Sequence, residues 1–423
     1  MKVVLGLHLH QPWRLARFRY LDIGSDRPYF DEDHNLALFR EISQRSYRPA
    51  LGILERTLRD EAEFRLALSL SGVWLEQARR AEPELLNLLE SMARTGRLSL
   101  LAETFHHSLA FLLPPPELQE QVDLHRKALW ETFSRESTVL RLTELAYSDD
   151  LARFAASQGF LGMVAEGWDT WLKGRSPNHL FASSVAPELR VLLRNYRLSD
   201  DIGFRFSARD WSEYPLTAEK FSRWISRSDG EVVSLFLDFE TFGEHHRAET
   251  GILDFLGELP RAVLRETGLE WASLEEALRL PVRGHLSHPK VLTWADRSRD
   301  LGAWLGNDLQ ISAFEALKKV GTLVRLAGDR DLLETWRRLT TSDHLYYMYL
   351  GGDRQDAEVH RHFSSYSSPF DAYANFMNVL TDLRQRAQAA LDRGHPKPRG
   401  GKRAARPSMT PPDAGRPFRG TAP

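Results

Sequence analysis

The sequence predicts an α/β protein, a parallel (β/α) barrel followed by a C-terminal helical bundle. Three observations carry this. Short apolar runs rich in branched residues alternate with helix-like segments over roughly the first 250 residues, which is the pattern of a parallel sheet with helices packed outside it. Beyond Thr250 apolar residues recur at spacings of three and four, as in Phe376, Val379, Leu380 and Leu383, the mark of amphipathic helices. No GxGxxG follows the first strand, which argues against an open dinucleotide-binding sheet.

The strand-like runs fall at residues 3–9, 64–71, 97–103, 139–144, 161–165, 204–207 and 232–239. Each is four to eight residues long and apolar, and several end on polar residues, as buried parallel strands do. Helical periodicity falls between them at 47–60, 82–95, 117–133 and 148–158, then at 304–327, 332–349 and 370–391. These runs divide the chain into a barrel (1–260), a helical domain completing the active site (261–392) and a tail (393–423). The tail is rich in Pro, Gly and Arg and nearly free of large apolar residues. It cannot bury enough surface to offset its ordering entropy, so it reads as a disordered, solvated basic segment.

Composition narrows the function. A net charge of -2 gives no pull toward nucleic acid or an acidic membrane. No cysteine is present, so disulfides, thiol nucleophiles and thiolate metal sites are excluded. No stretch approaches the roughly 20 apolar residues of a membrane span. Residues 1–14 read as a strand rather than a signal peptide, and the expected location is cytoplasmic.

In a parallel barrel the active site sits at the C-terminal ends of the strands. The first strand ends there with His8 and His10, which share a face by the period of two. The third supplies Glu103, His106 and His107, the fourth Glu144, and the run VVSLFLDFE supplies Asp238 and Glu240. A carboxylate is costly at an apolar strand end unless it is used. Two carboxylates from different strands facing one pocket suit glycosidic cleavage, one supporting the anomeric carbon and one donating a proton. Histidines can hydrogen-bond sugar hydroxyls, and Trp13 and Trp168 can stack on sugar faces.

The stretches HLHQPW, GRLSLLAETFHHSLAFL, LRLTELAYSDD, LDFETFGEHH and SDHLYYMYLGGD resemble, in this order, the five motifs of glycoside hydrolase family 57, in its α-amylase-like branch. The resemblance runs to about Leu391. It implies an incomplete barrel of seven strands, a following helical bundle and retention of anomeric configuration. By the same resemblance Glu144 matches the nucleophile and Asp238 the general acid/base. His8, His10, His107, Glu240 and Asp343 match substrate-binding positions. The implied partner is an α-glucan or oligosaccharide, with no metal and no organic cofactor. Retention further requires the two catalytic carboxyls to lie about 5–5.5 Å apart. The family also contains 4-α-glucanotransferases and branching enzymes, so transfer is the alternative outcome of the same chemistry. Two readings of another class are a polysaccharide deacetylase with His8, His10 and Asp238 on a divalent metal, and a non-catalytic glucan-binding protein.

Overall fold

The structure is a computed structural model that describes residues 1–351 and 364–394. Ten strands form one sheet: β1 (Lys2–Leu9), β2 (Leu66–Leu70), β3 (Leu98–Leu101), β4 (Val139–Leu140), β5 (Gly162–Glu166), β6 (Leu180–Ser183), β7 (Arg190–Arg194), β8 (Val232–Asp238), β9 (Glu270–Trp271) and β10 (Val282–Leu286). Seven of them close a parallel ring. Strand β1 pairs with β2 and β8, β2 with β3, β4 with β5, and β5 with β7. Two joints are thin. A single bridge, Ala102 to Leu140, links β3 to β4, and a single pair, Arg194 to Ser234, links β7 to β8. This is the incomplete (β/α)7 barrel, and β6, β9 and β10 lie outside its ring.

The barrel strands are almost continuously buried, because helices cover the sheet on the outside and side chains fill the inside. Register does the rest of the work for the site. His8 lies directly beside Asp238 in the β1–β8 pairing. The first-strand histidines and the last-strand carboxylate are therefore neighbours in space although 230 positions separate His8 from Asp238 in sequence.

The expected strand at 204–207 does not form. Those residues are a turn continuing from the helix Tyr196–Gly203, with the Phe204 amide donating to the Asp200 carbonyl. Phe206 is buried against Phe255 and Phe204 is exposed, so the alternation that looked like a strand is one anchored side chain in a turn. The seventh ring strand is β7, whose Val191, Leu192 and Leu193 are fully buried between two arginines. Beyond residue 260, β9 pairs with β1 and β10 with β6, so both strands join the barrel sheet.

The helical region follows as Asp308–Ala327, Arg330–Leu339, Asp343–Tyr346 and Pro369–Gly394. The helix read at 304–327 is broken at Gly306, and Asn307 restarts it by accepting from the Leu309 and Gln310 amides. The one read at 332–349 is broken at Thr340–Ser342, where the Ser342 amide donates to the His107 carbonyl. That break carries Asp343 to the barrel mouth. Residues 395–423, most of the expected tail, lie outside the described residues. No helix among the described residues is long and apolar enough to cross a membrane.

Candidate active site

The strand ends bring His8, His10, His107, Glu103, Glu144, Asp238 and Glu240 into one polar cluster, which Asp343 joins from the start of the helix Asp343–Tyr346. Three imidazoles stack in it, with His107 centred 4.0 Å from His10 and 4.8 Å from His8. Like charges cannot share such a stack, and His107 is the ring that carries the proton. Burial opposes its charge, but Glu103 and Glu144 outweigh burial and push its pKa up to about 9. Its Nδ1 lies 3.2 Å from Glu103 Oε2 and its Nε2 3.1 Å from Glu144 Oε1. His8 and His10 are held neutral, chiefly by burial, with Arg141 acting further on His8 and His107 on His10.

The neutral rings are oriented by their neighbours. His10 Nε2 donates to Asp343 Oδ2 at 3.0 Å, so its Nδ1 accepts from the Ser71 hydroxyl at 2.8 Å. Asp343 is thereby held far below the usual carboxylate range, His10 and His107 outweighing the effect of burial. His8 Nε2 faces the Arg141 guanidinium at 3.4 Å, and its Nδ1 lies 3.5 Å from Glu103 Oε1.

Glu144 and Asp238 sit in opposite electrostatic environments. Burial would raise the Glu144 pKa, but His107, Arg141 and the indole of Trp294 lower it below the ordinary value. Trp294 Nε1 donates to Glu144 Oε2 at 2.6 Å. The Asp238 carboxyl makes no hydrogen bond or ion pair among the described residues, and burial, followed by the Glu144 charge, pushes its pKa up to about 6. Two carboxylates with pKa values driven apart are the acid/base signature of such sites. Glu240 goes further, up to about 8, through burial and the Asp238 charge, while the Tyr47 hydroxyl and the Gln11 amide donate to its Oε1.

Exposure separates the cluster into floor and mouth. Glu103 is wholly buried, whereas the Glu144 and Asp343 side chains are 17% and 22% exposed. The backbone is strained at the same place: His107, Glu144 and Leu145 all have positive φ without being glycine.

Trp13 departs from the expectation. It is completely buried in the core of the helical region, with Arg80 and Arg338 each about 5 Å from its ring. Its Nε1 donates to Glu76, and with the whole ring buried no face is open to a sugar. Trp168 is half-buried just beyond β5 and packs on the core beneath it, and among the described residues it makes no hydrogen bond to the histidine cluster. Sequence reasoning missed Arg141 and Trp294. A lone arginine inside the apolar run VLRL was the available signal for the first. A cleft of about 830 Å³ lined by Asp169, Arg175, Asn195 and Tyr196 contains none of these carboxylates.

The metal reading meets an electrostatic obstacle. Both ring nitrogens of His10 are engaged, so His8, His10 and Asp238 do not form a ligand set. His8, Glu103 and His107 converge within 4.8 Å, but His107 already bridges Glu103 and Glu144 and the Arg141 guanidinium lies beside His8 and Glu103. A cation would have to displace charges already present.

A seven-stranded parallel barrel that brings two carboxylates in unlike environments to its strand ends is suited to glycosidic cleavage. The chain belongs to glycosyl hydrolase family 57, whose sequence profile matches residues 4–291. A Methanocaldococcus jannaschii protein bearing a provisional alpha-amylase name is 38% identical over 400 residues, covering 90% of this chain and 84% of its own. The fold matches a family 57 branching enzyme from Pyrococcus horikoshii with a TM-score of 0.64 at 14% identity, over 93% of this chain and 91% of that one. It also matches a 4-alpha-glucanotransferase from Thermococcus litoralis with a TM-score of 0.61 at 17% identity, over 82% of this chain and 56% of that one.

Proposed function

We propose that the protein cleaves α-glucans with retention of configuration, Glu144 acting as nucleophile and Asp238 as general acid/base. The observation that carries this is the opposed environment of the two carboxylates. Glu144 is kept ionised by His107 and Trp294, and Asp238 keeps a proton near pH 6 without a hydrogen-bond partner among the described residues. The names of the relatives point to the same substrate class.

In the first step a Glu144 oxygen bonds to the anomeric carbon as the C1–O bond breaks. The leaving oxygen takes the Asp238 proton. In the second step Asp238 removes a proton from water, whose oxygen attacks C1 and releases the Glu144 carboxylate. A sugar hydroxyl in place of water gives transfer. His10 and Asp343, at the mouth, are suited to bind sugar hydroxyls at the cleavage point.

The test is incubation with maltoheptaose, followed by proton NMR and chromatography, beside Glu144→Gln. Shorter products, α-configured at early times and absent with the variant, support the reading. A ladder of longer and shorter chains means transfer through the same residues. Early β-configured products, or full activity of Glu144→Gln, overturn it.

A further inference from the structure

We propose that Trp294 is a positioning residue for the nucleophile, its indole N–H fixing the Glu144 carboxylate while two buried arginines lock the indole ring. The inference rests on the reading of Glu144 as nucleophile.

Three observations converge. First, the segment carrying Trp294 is laid along the segment carrying Glu144. Tyr147 and Leu292 exchange backbone hydrogen bonds of 2.9 and 2.8 Å, and the Trp294 amide donates to the Glu144 carbonyl at 3.0 Å. This short ladder supports the backbone where Glu144 and Leu145 have φ of 59° and 54°. Second, the same residue reaches the side chain, Nε1 donating to Oε2 at 2.6 Å. His107 holds Oε1, so both carboxylate oxygens are restrained and the plane of the group is set. Third, the ring itself cannot turn freely. The Arg141 guanidinium carbon lies 5.1 Å from the ring centre and that of Arg194 lies 5.5 Å from it. Arg194 is anchored by Glu166 at 3.0 Å and by the Phe236 carbonyl at 2.8 Å. Arg141 is 1% exposed, with Nη1 toward His8 and Glu103.

The groups that set the charge state of Glu144 are His107, Arg141 and Trp294, with Asp238 facing it across the site and Arg194 beyond the indole. A hydrogen bond to a charged group, removed, should move the titration of Glu144 upward by about one pH unit. A residue that merely filled space would not move it.

The experiment is a carboxyl-carbon NMR titration of protein labelled with ¹³C at glutamate side chains, the Glu144 signal assigned by its loss in Glu144→Gln. Two variants are compared: Trp294→Phe, and a site-specific replacement of Trp294 by benzothienylalanine, which keeps the bicyclic ring and lacks the N–H. An upward shift of about one unit in both is expected. The acidic limb of kcat/KM on 4-nitrophenyl α-maltoheptaoside should follow the same shift. A Glu144 titration unmoved by the benzothienyl ring overturns the inference, whatever the Phe variant does. Full activity of Glu144→Gln would instead overturn the nucleophile reading, so the two failures are told apart. Should Trp294→Phe fold poorly, the ring-preserving replacement still decides.

Discussion

The Nε2 atom of His107 lies 3.1 Å from Oε1 of Glu144, and the same ring reaches Glu103 through Nδ1. An imidazolium between two carboxylates stabilises both as anions. Replacing it with His107→Gln should raise the Glu144 titration and move the acidic limb of kcat/KM to higher pH. Loss of activity without any shift of that limb would count against the electrostatic role.

The same ring links stability to pH. His107 is raised to about 9 from an unfolded value near 6.5, so its contribution is complete below pH 6.5 and is lost as pH rises through about 9. The melting-temperature difference between the wild type and His107→Gln should therefore shrink between about pH 7 and pH 10. Thermal melts of both proteins across that window measure it, and a constant difference would refute it.

A general acid must hold its proton. With Asp238 raised to about 6, kcat/KM on maltooligosaccharides should fall as pH rises through that value. Asp238→Asn should lose roughly 10²–10⁴-fold in rate on a sugar leaving group. The loss should be much smaller on a nitrophenyl glycoside, whose leaving group departs without protonation. Equal losses on both substrates would remove Asp238 from the role.

Trp13 should behave as a core residue. Trp13→Ala should destabilise the protein by about 3–5 kcal/mol, read from urea unfolding. KM measured well below the transition should stay unchanged. A raised KM at unchanged stability would restore Trp13 to the sugar site.

Gly321 sits within the helix Asp308–Ala327, where alanine would ordinarily add up to about 1 kcal/mol of helix stability. A Cβ there would come within 2.2 Å of the Trp336 ring, which is pinned by Nε1 donating to the Leu317 carbonyl. Overpacking costs about 1–3 kcal/mol and should win. Gly321→Ala is expected to lower the urea midpoint, and a raised midpoint would show that the ring can yield.

Much of the fold was legible because buried parallel strands and amphipathic helices write their burial into local periodicity. Six of the seven strand readings correspond to ring strands, and the helix at 117–133 matches Glu117–Phe133. The failures have local causes. Phe204–Ser207 mimics a strand by alternation alone, while β7 hides between Arg190 and Arg194. The helix breaks at Gly306 and Thr340 are marked by residue type rather than by apolar spacing, Gly306 before the Asn307 cap and the run Thr340–Ser342.

The sequence by itself determined the alternating α/β plan, the face shared by His8 and His10, and the polar residues at the strand ends. These are properties of neighbours along the chain, set by the periods of strand and helix. The tertiary structure alone decided which of them meet and in what charge state. The β1–β8 register sets His8 beside Asp238, the break before Asp343 brings it to His10, and the segment after β10 carries Trp294 to Glu144. Burial together with those contacts then drives Glu144 down and Asp238 up, because electrostatics depends on distance through space and not along the chain.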